Sequence, residues 1–169
     1  MELQTVGLQK SHYRDDFDCG QEVLDEYLKK QANQDIKRKL AVCFVLTENE
    51  DSKDRVKGYY TLSNTGIPRE LIPDKFQKKF PKSYNTIPAT LLGRLARDKT
   101  CRGKGMGEKL LIDALFRSYL ASEQLGSFAV VVDPIDEMAI AFYESYGFKL
   151  LPDSGKMFLP MATIKQLFT

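Results

Sequence analysis

The chain has 169 residues, and its 25 Lys and Arg against 23 Asp and Glu leave a net charge of +2, so any case for a nucleic-acid partner must be local. With 43% hydrophobic and 28% charged residues it has the make-up of a globular protein with a real core, and no run of about 18 apolar residues is present to cross a membrane. Three cysteines, Cys19, Cys43 and Cys101, without Cys-x-x-Cys spacing, argue against a disulfide framework and a zinc site, so reduced thiols and no metal are expected.

In chain order, Leu3, Val6 and Leu8 interleave with polar residues and predict an edge strand over residues 2–7. The same stretch lacks the basic start and apolar block of a secretory leader, so a cytoplasmic location is expected. Phe17-Asp18-Cys19-Gly20 reads as a turn. From Glu22 the positions Val23, Leu24, Tyr27, Leu28, Ala32 and Ile36 recur at helical spacing and predict a helix of about four turns. Its closing run Lys37-Arg38-Lys39 complements the helix dipole. Residues 40–47 and 56–65 are expected to pair as an antiparallel hairpin across a polar connection at 48–54.

Residues 66–87 read as a long connection with at most short helical turns, and long connections in compact domains are often functional. Phe76 and Phe80 there have two readings, as plugs at the edge of the core or as aromatics interleaved with Lys75, Lys78, Lys79 and Lys82 on a surface. A strand over 90–97, a glycine-rich turn and a helix to about residue 121 come next. The apolar run 127–133 reads as a fully buried strand, which makes a right-handed parallel βαβ unit. A helix over 136–145 is stopped by Gly147, a last strand covers 157–161 and a short helix 162–168. The order is mixed α/β, and one domain over residues 1–169 is expected.

The glycine-rich turn carries the chemistry. Gly103, Gly105 and Gly107 leave it without Cβ atoms, so backbone N–H groups can approach a ligand, and the helix start adds unpaired donors and the positive end of its dipole. That suits a phosphate or pyrophosphate. Neither the dinucleotide fingerprint nor the P-loop fits the spacing. Arg102-x-x-Gly105-x-Gly107 between a strand and a long helix resembles the pyrophosphate loop of the GCN5-related N-acetyltransferases (GNAT), and Asp136-x-x-Ala139-x-x-x-Tyr143-x-x-x-Gly147-Phe148 resembles that family's second signature. The resemblance implies a single-domain α/β GNAT fold: a mixed sheet of about six to seven strands flanked by about four helices, with the parallel βαβ unit at the coenzyme site.

Acetyl-CoA as co-substrate is then implied. Backbone amides of Gly103, Lys104, Gly105, Met106 and Gly107, with the charges of Arg102 and Lys104, would hold its pyrophosphate, and main-chain groups of Leu95, Ala96 and Arg97 would pair with the pantetheine amides. Asp136 joins this set through the second signature. Tyr143 stands where many relatives carry the general acid, and a phenol with an ordinary pKa near 10 is protonated at neutral pH and able to supply a departing thiolate. Tyr146 and Cys101 are expected to be structural or incidental. With no obvious base, an α-amine of pKa near 8 is a more accessible acceptor than a lysine amine.

A narrower resemblance spans nearly the whole chain. Phe17-x-Cys19-Gly20-x-x-x-Leu24-Asp25-x-Tyr27-Leu28, Gly58-Tyr59-Tyr60-x-Leu62, Leu92-Gly93-Arg94-Leu95-Ala96-x-Asp98 and Leu159-Pro160-Met161 are similar to the acetyltransferase toxins of bacterial toxin–antitoxin pairs. It implies acetylation of the α-amine on aminoacyl-tRNA, neutralisation by a ribbon-helix-helix antitoxin, and a homodimer. Arg94, Arg97, Lys37, Arg38, Lys78 and Lys79 would then meet the RNA. Two other functions stay open on the residues alone: the same transfer to a small amine or protein N-terminus, and a coenzyme-binding regulatory module without catalysis.

Overall fold

The computed structural model describes residues 1–169. Its eight strands form one sheet in the order β1-β3-β4-β5-β6-β8-β7, with β2 pairing parallel to β4. The strands are β1 (Val6–Gly7), β2 (His12–Tyr13), β3 (Val42–Glu50), β4 (Lys53–Pro68), β5 (Thr86–Arg97), β6 (Ala129–Val132), β7 (Lys149–Leu150) and β8 (Met157–Pro160). Helices are α1 (Glu22–Glu26), α2 (Ala32–Lys37), α3 (Asp74–Gln77), α4 (Met106–Ser122), α5 (Glu137–Ser145) and α6 (Met161–Gln166). The expected mixed sheet is present, with β1 inside the edge strand expected over 2–7, and is enlarged by the two-residue strands β2 and β7, too short for sequence periodicity to reveal. The backbone divides into two compact units, Met1–Ser63 with Gly93–Arg117, and Asn64–Leu92 with Ser118–Thr169.

In the first unit, β3 and β4 pair antiparallel from Val42↔Leu62 to Glu50↔Lys53. The polar stretch expected as a connection is therefore ladder, closed by a tight turn at Asp51 and Ser52, whose φ values are 54° and 62°. Its side chains face water on both sides, so no hydrophobic alternation marks it, and Lys57–Glu50 pairing at 2.9 Å crosses it instead. The expected single helix from Glu22 is interrupted by a π turn over Tyr27–Gln31, between α1 and α2. Lys39, at φ 62°, ends α2. The core gathers Phe17, Tyr27, Leu28, Ala32, Cys43, Val45, Val56, Tyr59 and Ala96.

In the second unit, β5 and β6 run parallel at Thr90↔Val130 to Leu92↔Val132, and β8 pairs antiparallel with both β6 and β7. Phe76 and Phe80 belong to the core edge: Phe76 meets Phe158 at 5.6 Å and Phe128 at 5.9 Å, and Phe80 meets Phe128 at 4.9 Å between ring centroids. The connection after β4 is closed by Arg69, which donates to the carbonyls of Pro81, Tyr84, Gln77 and Phe80 at 2.7 to 3.1 Å. One side chain thus satisfies the backbone of a segment with little ladder of its own.

Candidate acetyl-transfer site

The glycine turn sits between a short 3-10 turn, Lys99–Cys101, and α4. Gly103 and Gly105 have φ of 73° and 71°, the left-handed region in which a side chain is strained. These two reversals turn the chain so that N–H groups face outward. Lys104 donates to the Cys101 carbonyl and Lys109 to that of Gly105, while the N–H groups of Gly103, Gly105, Met106, Gly107 and Glu108 meet no carbonyl. A row of free donors at a helix start is a ready anion cradle. Arg102 and Lys104 are exposed beside it.

The turn is fixed from below by the segment expected at 17–20. Asp98 is 7% exposed, and its carboxylate accepts from the Thr100 N–H and hydroxyl at 3.0 and 2.7 Å and from the Asp18 N–H at 3.0 Å. Its own N–H donates to the Lys57 carbonyl, and Lys99 binds Asp18 through both main chain and ammonium. Desolvation works against the Asp98 carboxylate, but the hydrogen bonds from Thr100 and Asp18 outweigh it and hold its pKa below the usual range. Asp98 is a tie for the turn, with its lone pairs occupied.

Pairing between β5 and β6 stops at Leu92↔Val132, so residues 93–97 of β5 have no partner on that edge. Ala96 is buried, Leu95 and Arg97 half-buried. An unpaired strand edge presents alternating N–H and C=O groups, which is what an amide-bearing arm requires.

Tyr143 lies on α5, 8% exposed, between Phe142 and Phe148 at centroid distances of 5.3 and 5.2 Å. No protein group hydrogen-bonds its hydroxyl, and burial alone pushes the phenol up to about 12. It is a protonated donor with nothing to donate to within the protein. The helix that carries it is capped by Asp136, whose carboxylate accepts from the Ala139 N–H at 2.8 Å, and it ends at Gly147 with φ 94°. The expected coenzyme contact of Asp136 is thus accompanied by a plain structural task.

A model of the acetyltransferase (GNAT) domain matches residues 39–150, across the glycine turn and Tyr143. The chain belongs to the GNAT acetyltransferase family. A probable TacT toxin of Sinorhizobium fredii is 34% identical over 164 residues, covering 92% of this chain and 89% of its own. A tyrosine-to-phenylalanine mutant of KacT superposes with a TM-score of 0.91 at 33% identity, over 99% of this chain and 100% of that one. AtaT in complex with acetyl-methionyl-tRNA gives a TM-score of 0.89 at 32% identity over the same shares, and AtaT with its partner AtaR has been solved bound to acetyl-CoA.

The residues singled out as RNA contacts are scattered through this GNAT chain. Lys37 and Arg38 are exposed at the end of α2, and Lys78 and Lys79 are exposed after α3; none pairs with a carboxylate. Lys75 has its pKa lowered by the ammonium of Lys149, with Lys79 adding to the crowding. Arg94 is half-buried on β5, its guanidinium 3.5 Å from the Tyr27 ring centroid. Cys101 is buried. No group of His, Cys, Asp and Glu is arranged to hold a metal ion.

Sequence reasoning missed a buried polar network in the first unit. Asp113 on α4, 0% exposed, accepts from Thr5 and from the Tyr60 hydroxyl, the latter at 2.7 Å. Arg117, one turn on, donates to the Tyr60 hydroxyl at 2.9 Å and to Thr5 at 3.0 and 3.1 Å while lying over the Phe44 ring. The sign available in the sequence was an acid four residues before an arginine, inside the apolar run Leu110, Leu111, Ala114, Leu115.

Proposed function

We propose that this chain, as one domain over residues 1–169, transfers the acetyl group of acetyl-CoA to the α-amine of aminoacyl-tRNA. The observation that carries the donor half is the outward row of free N–H groups at 103 and 105–108, a cradle shaped for a pyrophosphate. Arg102 and Lys104 add charge there, and the open edge of Leu95, Ala96 and Arg97 takes the amides of the pantetheine arm. Acetyl-CoA supplies the thioester. Tyr143 holds, on its Oη, the proton that the departing thiolate takes as the amine nitrogen bonds to the acetyl carbon and the C–S bond breaks, and the proton then shed by that nitrogen restores the phenol. Its raised pKa keeps that proton in place at any working pH, and the burial responsible raises the basicity of a thiolate placed in the same surroundings.

The acceptor half rests on likeness to TacT and AtaT over nearly the whole chain. Arg94, Arg97, Lys37, Arg38, Lys78 and Lys79 are the RNA contacts in this reading, a ribbon-helix-helix antitoxin is the partner, and the cytoplasm, where charged tRNA is found, is the location. Incubation with labelled acetyl-CoA and total charged tRNA should put label on the aminoacyl ends, released as N-acetyl amino acid on mild base treatment. Label appearing only on free amines or protein N-termini would overturn the acceptor, and no transfer to any amine pool would overturn catalysis.

A further inference from the structure

Six arginines of the chain are half-buried, namely Arg14, Arg55, Arg69, Arg94, Arg97 and Arg117. Arg14, Arg69 and Arg117 donate to carbonyls or hydroxyls, and Arg55 pairs with Asp16, Glu50 and Asp51. Arg94 and Arg97 donate to no protein group, and of the two it is Arg94 that a ring holds in place. Its guanidinium lies on the face of Tyr27, and the Tyr27 hydroxyl donates to Asp35 at 2.8 Å. Tyr27 also packs nearly parallel to Tyr59, at 6.3 Å and 13°, and Tyr59 is itself anchored by a 2.7 Å bond to the Leu24 carbonyl.

Tyr27 is also the first residue of the π turn. Such turns are rare and are frequently found at functional sites. A cation that is partly desolvated, fixed and without a counter-ion costs free energy unless a ligand completes it. With one face covered by a ring, the donors left are those around the guanidinium edge, the geometry that grips two oxygens of one anion.

The anion can be specified from the chemistry of the acceptor. In an aminoacyl-tRNA the amino acid's carboxyl is esterified and carries no charge, so the anions nearest the reacting amine are phosphodiesters of the terminal nucleotides. We propose that Tyr27 is a positioning residue whose ring, packed on Tyr59, holds Arg94 to clamp a phosphodiester beside the aminoacylated end of the RNA. This rests on the aminoacyl-tRNA reading above.

The test compares aminoacyl-tRNA with aminoacyl-adenosine, which has the same amine and ester but no phosphodiester. Arg94→Gln, Arg94→Lys and Tyr27→Leu should each lower kcat/KM for aminoacyl-tRNA by about 10- to 100-fold, mainly through KM. The preference for tRNA over aminoacyl-adenosine should shrink by the same factor. Tyr27→Phe loses the same bond to Asp35 but keeps the ring, and should stay within about threefold of the natural protein, while Tyr27→Leu with Arg94→Gln should be no worse than Arg94→Gln alone. Equal losses on both acceptors, or Tyr27→Phe falling as far as Tyr27→Leu, would overturn the clamp. Thermal unfolding of each variant identifies any loss due to misfolding, and Arg94→Lys keeps the test open if Tyr27→Leu does not fold. Should the natural protein acetylate neither acceptor, the aminoacyl-tRNA reading fails by itself. Binding of uncharged tRNA still decides the clamp: a salt slope reduced by about 0.7 in Arg94→Gln supports it, and unchanged affinity and slope overturn it.

Discussion

Two arginine–aromatic stacks in the first unit show how differently the same pair of side chains can be employed. Arg117 lies 3.7 Å from the Phe44 ring centroid and directs its donors at Tyr60 and Thr5, with Asp113 one turn away. Arg94 lies 3.5 Å from the Tyr27 ring centroid and has no protein acceptor at all. The contrast recurs in two buried tyrosines. The Tyr60 hydroxyl both donates and accepts inside the network, whereas the Tyr143 hydroxyl does neither. In these two pairs the completed groups hold the fold, and the open ones keep a donor available for a ligand.

Deleting the same oxygen from the two tyrosines is the sharpest way to break that contrast. Tyr143→Phe should lower turnover by about 10²- to 10⁴-fold, the usual worth of a positioned proton donor. Acetyl-CoA affinity and melting temperature should hardly move, because no protein group loses a partner. The phenol is raised to about 12, so turnover of the natural protein should climb as the acceptor amine loses its proton and stay level through pH 10, where an ordinary tyrosine would already be half ionised. Turnover unchanged in Tyr143→Phe, measured with charged tRNA, would remove the acid assignment.

Tyr60→Phe should do the reverse. It takes a donor from a fully buried carboxylate and an acceptor from Arg117, a loss of about 1.5–3 kcal/mol in stability. For a chain of this size that is a fall of roughly 4–10 °C in melting temperature. Turnover measured well below the transition should persist. A Tyr60→Phe protein that melts normally would show that the network is satisfied some other way, and the distinction between complete and incomplete groups would lose its force.

The same contrast explains what could be seen in the sequence. Glycines at left-handed positions have one ready explanation, so Gly103, Gly105 and the helix behind them were legible, as was the buried run at Ala129–Val132. The stop at Gly147 was equally plain. What stayed hidden depends on partners distant in the chain. Thr5 meets Asp113, Asp18 meets Asp98, and Arg69 closes the segment that follows it by gathering carbonyls from Gln77 to Tyr84. No periodicity announces such bonds. Nor did the hydrophobic spacing from Glu22 reveal the π turn, because one extra residue shifts the pattern by less than its own irregularity. Phe76 and Phe80 had two readings because an aromatic at the core edge and an aromatic on a binding surface have the same neighbours in sequence.

The smallest effect concerns a carboxylate that stands close to the cradle and is nonetheless excluded from the chemistry. If Asp98 were the base that frees the amine, Asp98→Asn would abolish turnover at neutral pH. Its oxygens are already taken by Thr100 and Asp18, so the substitution should instead place an amide N–H against a backbone N–H and cost about 1 kcal/mol, with the pH dependence of turnover between 6 and 9 unaltered. The acid side gives the confirming sign. A carboxyl lowered in the fold contributes stability that is complete above its ordinary value near 3.9 and is lost as the pH falls through the lowered one. The natural protein should therefore lose its advantage over Asp98→Asn as denaturation is followed from pH 6 down to pH 3, and a gap that stayed constant would mean that Asp98 titrates alike in the folded and unfolded chain and ties nothing.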